Sequence, residues 1–161
     1  VWFLGTLEDE TGTSHVEQAR IDGYMAAMHD AGVSGHAKVI PSASTTPGGY
    51  SVAVDILADA RRRPSAILAV CDEVAIGTMI AARRLGIATP TELSVVGIDD
   101  HENAAMFGLT TMKQVPRDHG ATAAKLLVDR LADSSLPAVQ EDMRAQFVVR
   151  TSTAVAPSAR R

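Results

Sequence analysis

The stretch that decides the fold is residues 65–100, SAILAVCDEVAIGTMIAARRLGIATPTELSVVGIDD. An apolar run at 65–70 predicts a buried strand, and residues 72–85 predict a helix that ends at Gly86. The run at 93–98 is rich in β-branched residues and predicts a second strand. This order predicts two parallel strands joined by a crossover helix.

The same alternation continues outward in both directions. Further strands are predicted at 1–5, 37–40 and 145–150, and "TTM" at 110–112 is a short strand or a linker. Further helices are predicted at 14–31, 46–62 and 117–132. We therefore expect an α/β fold, a doubly wound parallel sheet with helices on both faces. Ligands of such sheets bind beyond the carboxyl ends of the strands, so function is expected in the loops that follow them.

Composition excludes several classes of protein. The 161 residues are 46% hydrophobic, as in a globular domain, and no run of about 18 apolar residues is present to span a membrane. The net charge is −4 and the basic clusters are short and scattered, so the chain is not expected to bind nucleic acid by itself. Its single cysteine fits a reducing cytosol.

Two ionisable groups of residues follow predicted strands. Asp72 is expected to be the N-cap of its helix, and Cys71 a small buried residue, because no local pattern supplies the base that a nucleophilic thiol needs. The run from Asp99 to Glu102 is either a ligand site or a short turn. A metal site here would need a Lys at another strand end, and only Lys113 is available, so none is predicted.

Arg20 is the most informative charge. It lies four residues from both Val16 and Tyr24, within the inward-facing stripe of its predicted helix. A guanidinium facing inward needs a partner, because an unpaired buried charge is costly. That partner is either Asp99, in a structural salt bridge, or a ligand hydroxyl or carboxylate. The sequence contains no P-loop, GxGxxG, HExxH or GxSxG pattern, and we expect no enzymatic activity and no cofactor.

Motifs along almost the whole chain resemble those of LacI/GalR-family bacterial transcriptional repressors. The matching residues are Arg20 and "GY" at 23–24, Pro64-Ser65-Ala66, Asp72, Ala75, Gly77, Leu85-Gly86, Pro90, "SVVGIDD" at 94–100, "LTTMKQVP" at 109–116 and "FVVRTSTAVAP" at 147–157. The resemblance implies a periplasmic-binding-protein-like fold of two subdomains that hold a ligand between them. Since Val1 opens directly into a predicted strand, we expect a piece of a longer chain whose DNA-reading helix-turn-helix lies elsewhere.

The resemblance also assigns regions. Residues 1–113 would form the second subdomain, 114–143 would cross to the other subdomain, 144–154 would return as a strand, and 155–161 would be a loose tail. The implied function is an effector module that forms a homodimer and binds a small molecule, such as a sugar. The alternatives are a solute-binding protein of a transport system, which shares the fold, and an enzyme using Asp99 and Asp100 with a metal.

Particular residues take roles by the same resemblance. Arg20 and Asp99 match residues that bind effector hydroxyls, and Ser14 and Ser44 fall near loops that line the ligand. Cys71 stands where the family often has Asn, and we expect it to face the cleft as a ligand-binding residue, although a thiol is a weaker donor and acceptor than an amide. The resemblance also implies a dimer interface that includes Ile76 and Phe107.

Overall fold

The computed structural model describes residues 1–5 and 15–155. The strands are β1 (Trp2–Leu4), β2 (Val39–Ile40), β3 (Ala66–Ala69), β4 (Ser94–Asp99), β5 (Thr110–Lys113) and β6 (Gln146–Val148). The helices are α1 (His15–Asp30), α2 (Thr46–Ala58), α3 (Asp72–Arg84) and α4 (Pro116–Ala132). The segment at 110–112, left open as a strand or a linker, is the strand β5.

The six strands form one mixed sheet in the order β2-β1-β3-β4-β5-β6. The first five strands are parallel to their neighbours, whereas β6 is antiparallel to β5, with Lys113 opposite Gln146. The expectation of a wholly parallel sheet was therefore wrong at its last strand. The chain leaves β5 at the carboxyl edge and re-enters beside the same edge after α4, so β6 must run in the opposite direction.

The sheet is doubly wound about β1. The connection through α1 leads to β2 on one side, whereas those through α2 and α3 carry the chain to the other side. Because crossovers are right-handed, α1 covers one face, and α2 and α3 share the other. Two glycines let α2 and α3 approach closely: a Cβ on Gly49 would lie 2.4 Å from the Val74 carbonyl oxygen, and one on Gly77 2.2 Å from that of Thr46. The point between β1 and β3, from which strands are added in opposite directions, is the change of winding of the sheet.

Local signals set the ends of the helices. Thr45 is the N-cap of α2, where its Oγ1 accepts a hydrogen bond from the Gly48 amide at 3.1 Å. At the other end of α3, Gly86 has a φ of +71° and the amide of Ile87 donates to the Ala82 carbonyl at 2.9 Å. Glycine adopts this left-handed conformation without strain, so Gly86 ends α3 as predicted.

The core holds α1 in a fixed position over the sheet. The largest fully buried side chains include Phe3, Leu4, Leu57, Ile67, Val70, Val74, Leu93, Val95 and Leu109. Tyr24 packs on Phe3, with ring centroids 5.6 Å apart, and its hydroxyl donates to the Val1 carbonyl at 2.8 Å. Arg20 lies one helical turn before Tyr24, which brings it toward the carboxyl edge of the strands.

The helix α4 has no buried residue. Leu127, Val128 and Leu131 are all exposed on it, so the described residues leave an apolar face uncovered. None of the helices in the described parts of the chain is long and apolar enough to cross a membrane.

Candidate functional site

The carboxyl edge of the sheet brings Arg20 and Asp99 together. Arg20 reaches over the change of winding, where its Nη1 donates to the Val70 carbonyl oxygen at 2.7 Å and its Nη2 to Asp99 Oδ1 at 3.4 Å. The Arg20 side chain is 21% exposed and that of Asp99 39%. The salt bridge with Asp99, one of the two alternatives for Arg20, is present, and both side chains keep a surface open to solvent at the place where such sheets bind ligands.

Gln114 is a third member of this group that the sequence analysis did not single out. Its Nε2 donates to Asp99 Oδ1 at 2.7 Å, and its backbone amide lies 3.4 Å from the Asp99 carbonyl oxygen. Gln114 directly follows β5, the neighbour of β4 in the sheet. Its place after a predicted strand was the available signal, but 110–112 was not firmly assigned as a strand. We call Arg20, Asp99 and Gln114 the strand-end triad.

Burial and charge act in opposite directions on the Asp99 carboxyl. Burial raises its pKa above the ordinary value, and the nearby Arg20 guanidinium works against that increase. The carboxylates of Asp72 and Glu73 raise the pKa further, whereas the hydrogen bond from Gln114 lowers it. Burial and the neighbouring acids thus disfavour the ionised form of Asp99, and the Arg20 guanidinium is the main group that stabilises that form.

The backbone that presents Asp99 is strained. Asp99 has a φ of 121° and Asp100 a φ of 59°, both in the region that favours glycine. Such conformations cost on the order of 1–3 kcal/mol each and persist where the surroundings impose them. The amide of Asp100 donates to Thr111 Oγ1 at 3.3 Å, which holds the turn against β5.

The N-cap prediction for Asp72 was wrong. Cys71 occupies the N-cap position of α3, with no side-chain hydrogen bond to the helix, and Asp72 is the first helical residue. The Asp72 carboxylate is fully buried and points away from its own helix. It accepts from Thr111 Oγ1 at 2.6 Å and from the His101 amide at 2.7 Å. Asp72 therefore joins α3 to β5 and to the loop after β4, and burial raises its pKa.

Cys71 follows β3, next to the carbonyl that Arg20 binds. It is 7% exposed, as expected for a small buried residue. Burial raises the pKa of its thiol to about 11, so the thiol is neutral at pH 7. A neutral thiol is only a weak hydrogen-bond donor. At the carboxyl edge of the sheet, Cys71 can therefore offer a bound molecule little beyond van der Waals contact.

The two serines expected near the ligand have different outcomes. Ser14 lies outside the described residues. Ser44 follows β2, and its Oγ donates to Glu17 Oε1 on α1 at 3.1 Å. This contact places Ser44 beside the first turn of the helix that carries Arg20.

The two residues expected at a dimer interface lie in different environments. Ile76 is only 5% exposed and belongs to the hydrophobic core, so it adds little to any surface. Phe107 is half-buried and lines an apolar groove of about 810 Å³ beside the end of α3. Met79, Ile80, Ile87 and Met106 also line this groove, and Met106 is 76% exposed. We call it the α3 groove.

The acidic residues at the carboxyl edge do not form a metal centre. Across residues 1–5 and 15–155, no three or more His, Cys, Asp or Glu side chains are arranged to hold a metal ion. Asp100 is paired with cations instead: its Oδ1 lies 2.7 Å from Arg150 Nη2 and its Oδ2 3.3 Å from Lys113 Nζ. The hydrogen bond from Arg150 is the main reason that the pKa of Asp100 is lowered.

Known proteins resemble this chain over nearly its whole length. The HTH-type transcriptional repressor PurR of Proteus mirabilis (strain HI4320) is 31% identical to it over 156 residues, which are 95% of this chain and 44% of the relative. The PurR repressor of Salmonella typhi matches with the same identity and coverage. The chain therefore spans less than half the length of these curated relatives.

Solved structures and a family model agree with this likeness. A LacI family transcriptional regulator from Enterococcus faecium with bound ribose is 26% identical, with a TM-score of 0.80, and the match covers 95% of this chain and 56% of that one. A regulatory protein of the LacI family from Chloroflexus aggregans matches with 26% identity, a TM-score of 0.80, and 94% and 54% coverage. The model of the periplasmic binding protein-like domain matches residues 1–153. The chain therefore belongs to the periplasmic binding protein-like domain family, and its relatives are LacI-family transcriptional regulators.

Proposed function

We propose that this chain is the effector-binding and dimerisation part of a LacI-family transcriptional regulator. A small molecule, a sugar or a related metabolite, would bind at the strand-end triad and modulate DNA binding by a helix-turn-helix outside this chain. Its site of action would then be the cytoplasm, and no catalysis is involved. The observation that carries the proposal is the contact of Arg20 with Asp99 at the carboxyl edge of the sheet, beside the ends of β3 and β4.

The triad has the hydrogen-bonding groups that a polyhydroxylated ligand needs. Both Arg20 and Gln114 donate to Oδ1 of Asp99, while among the described residues no hydrogen bond reaches its Oδ2. Arg20 carries five N–H donors, and its bonds to Val70 and Asp99 leave others for a ligand. A carboxylate acceptor beside guanidinium donors suits adjacent hydroxyl groups, because each hydroxyl both donates and accepts.

The position of Gln114 supports a regulatory role. It lies between β5 and α4, where the chain leaves the sheet. We assign residues 1–113 and 144–154 to one subdomain, and 114–143 to a segment that packs on another subdomain. The exposed apolar face of α4 supports this division. Two subdomains can adopt more than one relative arrangement. A ligand that bridges them shifts the population toward one arrangement if it binds that arrangement more tightly than the other.

The α3 groove supports the dimerisation part of the proposal. Its lining is mostly apolar, and Ile80 and Met106 expose large side chains to solvent. Exposed apolar patches of this kind mark protein–protein interfaces more often than ordinary surface does. We assign Phe107 and its neighbours in the groove to the contact with a second copy of the chain.

The test begins with a thermal-shift screen of pentoses, including D-ribose, hexoses and purine bases. For each compound that binds, isothermal titration then compares the wild type with Arg20→Ala and with the control Arg61→Ala, whose side chain is exposed. Loss of charge-assisted hydrogen bonds predicts that Arg20→Ala weakens binding by about 2 kcal/mol or more, roughly 30-fold, and that the control changes it little. Equal affinity of Arg20→Ala and wild type would show that Arg20 is only structural.

The gene region upstream of Val1 separates this proposal from its alternative. A helix-turn-helix encoded there supports the regulator. An export signal there would favour the solute-binding protein of a transport system, which uses the same fold.

A further inference from the structure

Asp100 joins the turn that carries Asp99 to two other segments of the chain. Its carboxylate contacts Arg150 Nη2 at 2.7 Å and Lys113 Nζ at 3.3 Å, and its amide donates to Thr111 Oγ1 at 3.3 Å. The side chain of Asp100 is only 13% exposed, and that of Arg150 20%. The ion pair between them is therefore largely shielded from water, where its attraction is screened less than at the surface.

The two cations lie on either side of the crossover through α4, one before it in the sequence and one after it. Lys113 is the last residue of β5, directly before Gln114 and α4. Arg150 lies two residues after β6, which brings the chain back. Arg150 is itself fixed, because its Nη1 donates to the Leu109 carbonyl at 2.8 Å and its amide to Thr110 Oγ1 at 2.9 Å. One carboxylate thus contacts the end of β5, before the crossover, and the segment that follows β6, after it.

Asp99 and Asp100 are neighbours in the chain but are held by different partners. Asp99 and Asp100 both have positive φ, so the chain turns sharply after β4. The contacts of Asp100 lie over β5, whereas Asp99 faces Arg20 on α1. Asp100 is thus held by Lys113 and Arg150, whereas Arg20 and Gln114 contact the Asp99 carboxylate.

We propose that Asp100 is a positioning residue for the ligand site: its ion pairs with Lys113 and Arg150 lock the left-handed turn that presents Asp99 and tie that turn to the end of β5 and to the segment after β6, on either side of the crossover through α4. The role in ligand binding rests on the proposed function above, whereas the lock itself is a property of this chain. A ligand that contacts Asp99 would thereby act on the segments that lead to and from the other subdomain.

Asp100→Asn tests the lock because Asn keeps the size of Asp and tolerates a left-handed backbone, so the change removes mainly the charge. Asp55→Asn, on the exposed face of α2, is the matched control. Hydrogen exchange is measured at the amides of Asp100, His101 and Gln114 and at the core amide of Val70. We expect exchange about tenfold faster at the first three in Asp100→Asn, with Val70 changed less than about twofold.

A second readout separates positioning from general destabilisation. Carbon-13 NMR follows the carboxyl of Asp99 during a pH titration. Its pKa, raised by burial, should fall toward the ordinary value in Asp100→Asn because the released turn is more hydrated, and stay unchanged in the control. Arg150→Lys, which keeps the positive charge, should restore part of the protection that Arg150→Met loses.

Two outcomes would overturn the proposal: unchanged exchange at residues 100, 101 and 114, or an equal increase at every amide including Val70. If Asp100→Asn does not fold, Lys113→Met at a half-exposed site takes its place, with the same pattern expected at smaller size. None of these measurements uses a ligand. A failed small-molecule screen would therefore count against the proposed function but not against the structural role of Asp100. Unchanged hydrogen exchange in Asp100→Asn would count against that structural role but not against ligand binding.

Discussion

Gly97→Ala is the sharpest test of how the site is built. Gly97 lies in β4 opposite Thr111, and a Cβ there would stand 2.1 Å from Asp72 Oδ1 and 3.0 Å from Leu109 Cδ2. A carboxylate cannot remain that close to a carbon atom. Asp72 is fully buried, so its displacement breaks the hydrogen bonds from Thr111 Oγ1 and the His101 amide.

The expected cost follows from those two bonds. A hydrogen bond to a charged group contributes about 1.5–3 kcal/mol, and leaving the buried carboxylate unsatisfied costs at least as much. Alanine in place of glycine returns about 0.5–1 kcal/mol by restricting the unfolded chain. We therefore expect Gly97→Ala to lower the free energy of unfolding by roughly 2–5 kcal/mol, a large share of the 5–15 kcal/mol typical of a domain.

Urea unfolding at pH 7, followed by far-ultraviolet circular dichroism, measures this change. Gly23→Ala is the control, because a Cβ at this position in α1 meets nothing within 4 Å. It should raise the free energy of unfolding by about 0.5–1 kcal/mol. In a double-mutant cycle, Thr111→Val should cost much less in the Gly97→Ala background than in the wild type. A loss below about 1 kcal/mol for Gly97→Ala, or full additivity with Thr111→Val, would refute the reasoning.

Three further predictions concern other residues. The Cys71 thiol is 7% exposed and has a pKa of about 11. At pH 7 it should therefore react with iodoacetamide about a hundredfold more slowly in the folded chain than in the urea-unfolded chain, as followed by mass spectrometry. Because its ion pairs lower the pKa of Asp100 below 3.8, the stability that they contribute is present above that pH and lost as the pH falls through the lowered pKa. The destabilisation caused by Asp100→Asn in urea unfolding should therefore be constant from pH 5 to 7 and smaller at pH 3; an equal effect at all three would contradict it. Met106→Glu in the α3 groove should raise the dissociation constant of the dimer about tenfold or more, as measured by analytical ultracentrifugation. The control Met25→Glu on α1 should leave that constant unchanged.

The sequence predicted most of the fold because its signals are local. In the described parts of the chain, apolar runs, helical periodicity and glycine at helix ends located the four α-helices and five of the six strands within a few residues, and β5 was left as one of two alternatives. The pairing of Arg20 with Asp99 was also predictable as one of two alternatives. An inward-facing cation on α1 needs a partner, and the carboxyl end of a neighbouring parallel strand supplies one.

Other features depend on contacts that local patterns do not encode. The direction of β6 follows from where the chain returns after α4, not from the composition of the strand. Asp72 has the sequence context of an N-cap, yet its carboxylate accepts a hydrogen bond from Thr111, 39 positions away, instead. Arg150 and Asp100 are 50 positions apart. In each case the side chain's direction is decided by a neighbour that only the folded sheet brings near.

The spacing of the strand-end triad along the sequence also determines which parts of the chain must fold before the triad can assemble. Its members are separated by 79 positions between Arg20 and Asp99 and by a further 15 to Gln114. A chain that has formed only β1 to β3 would have the Arg20 guanidinium but not the carboxylate of Asp99. The ligand binding proposed for the triad therefore requires the long-range pairing of β4 and β5 as well.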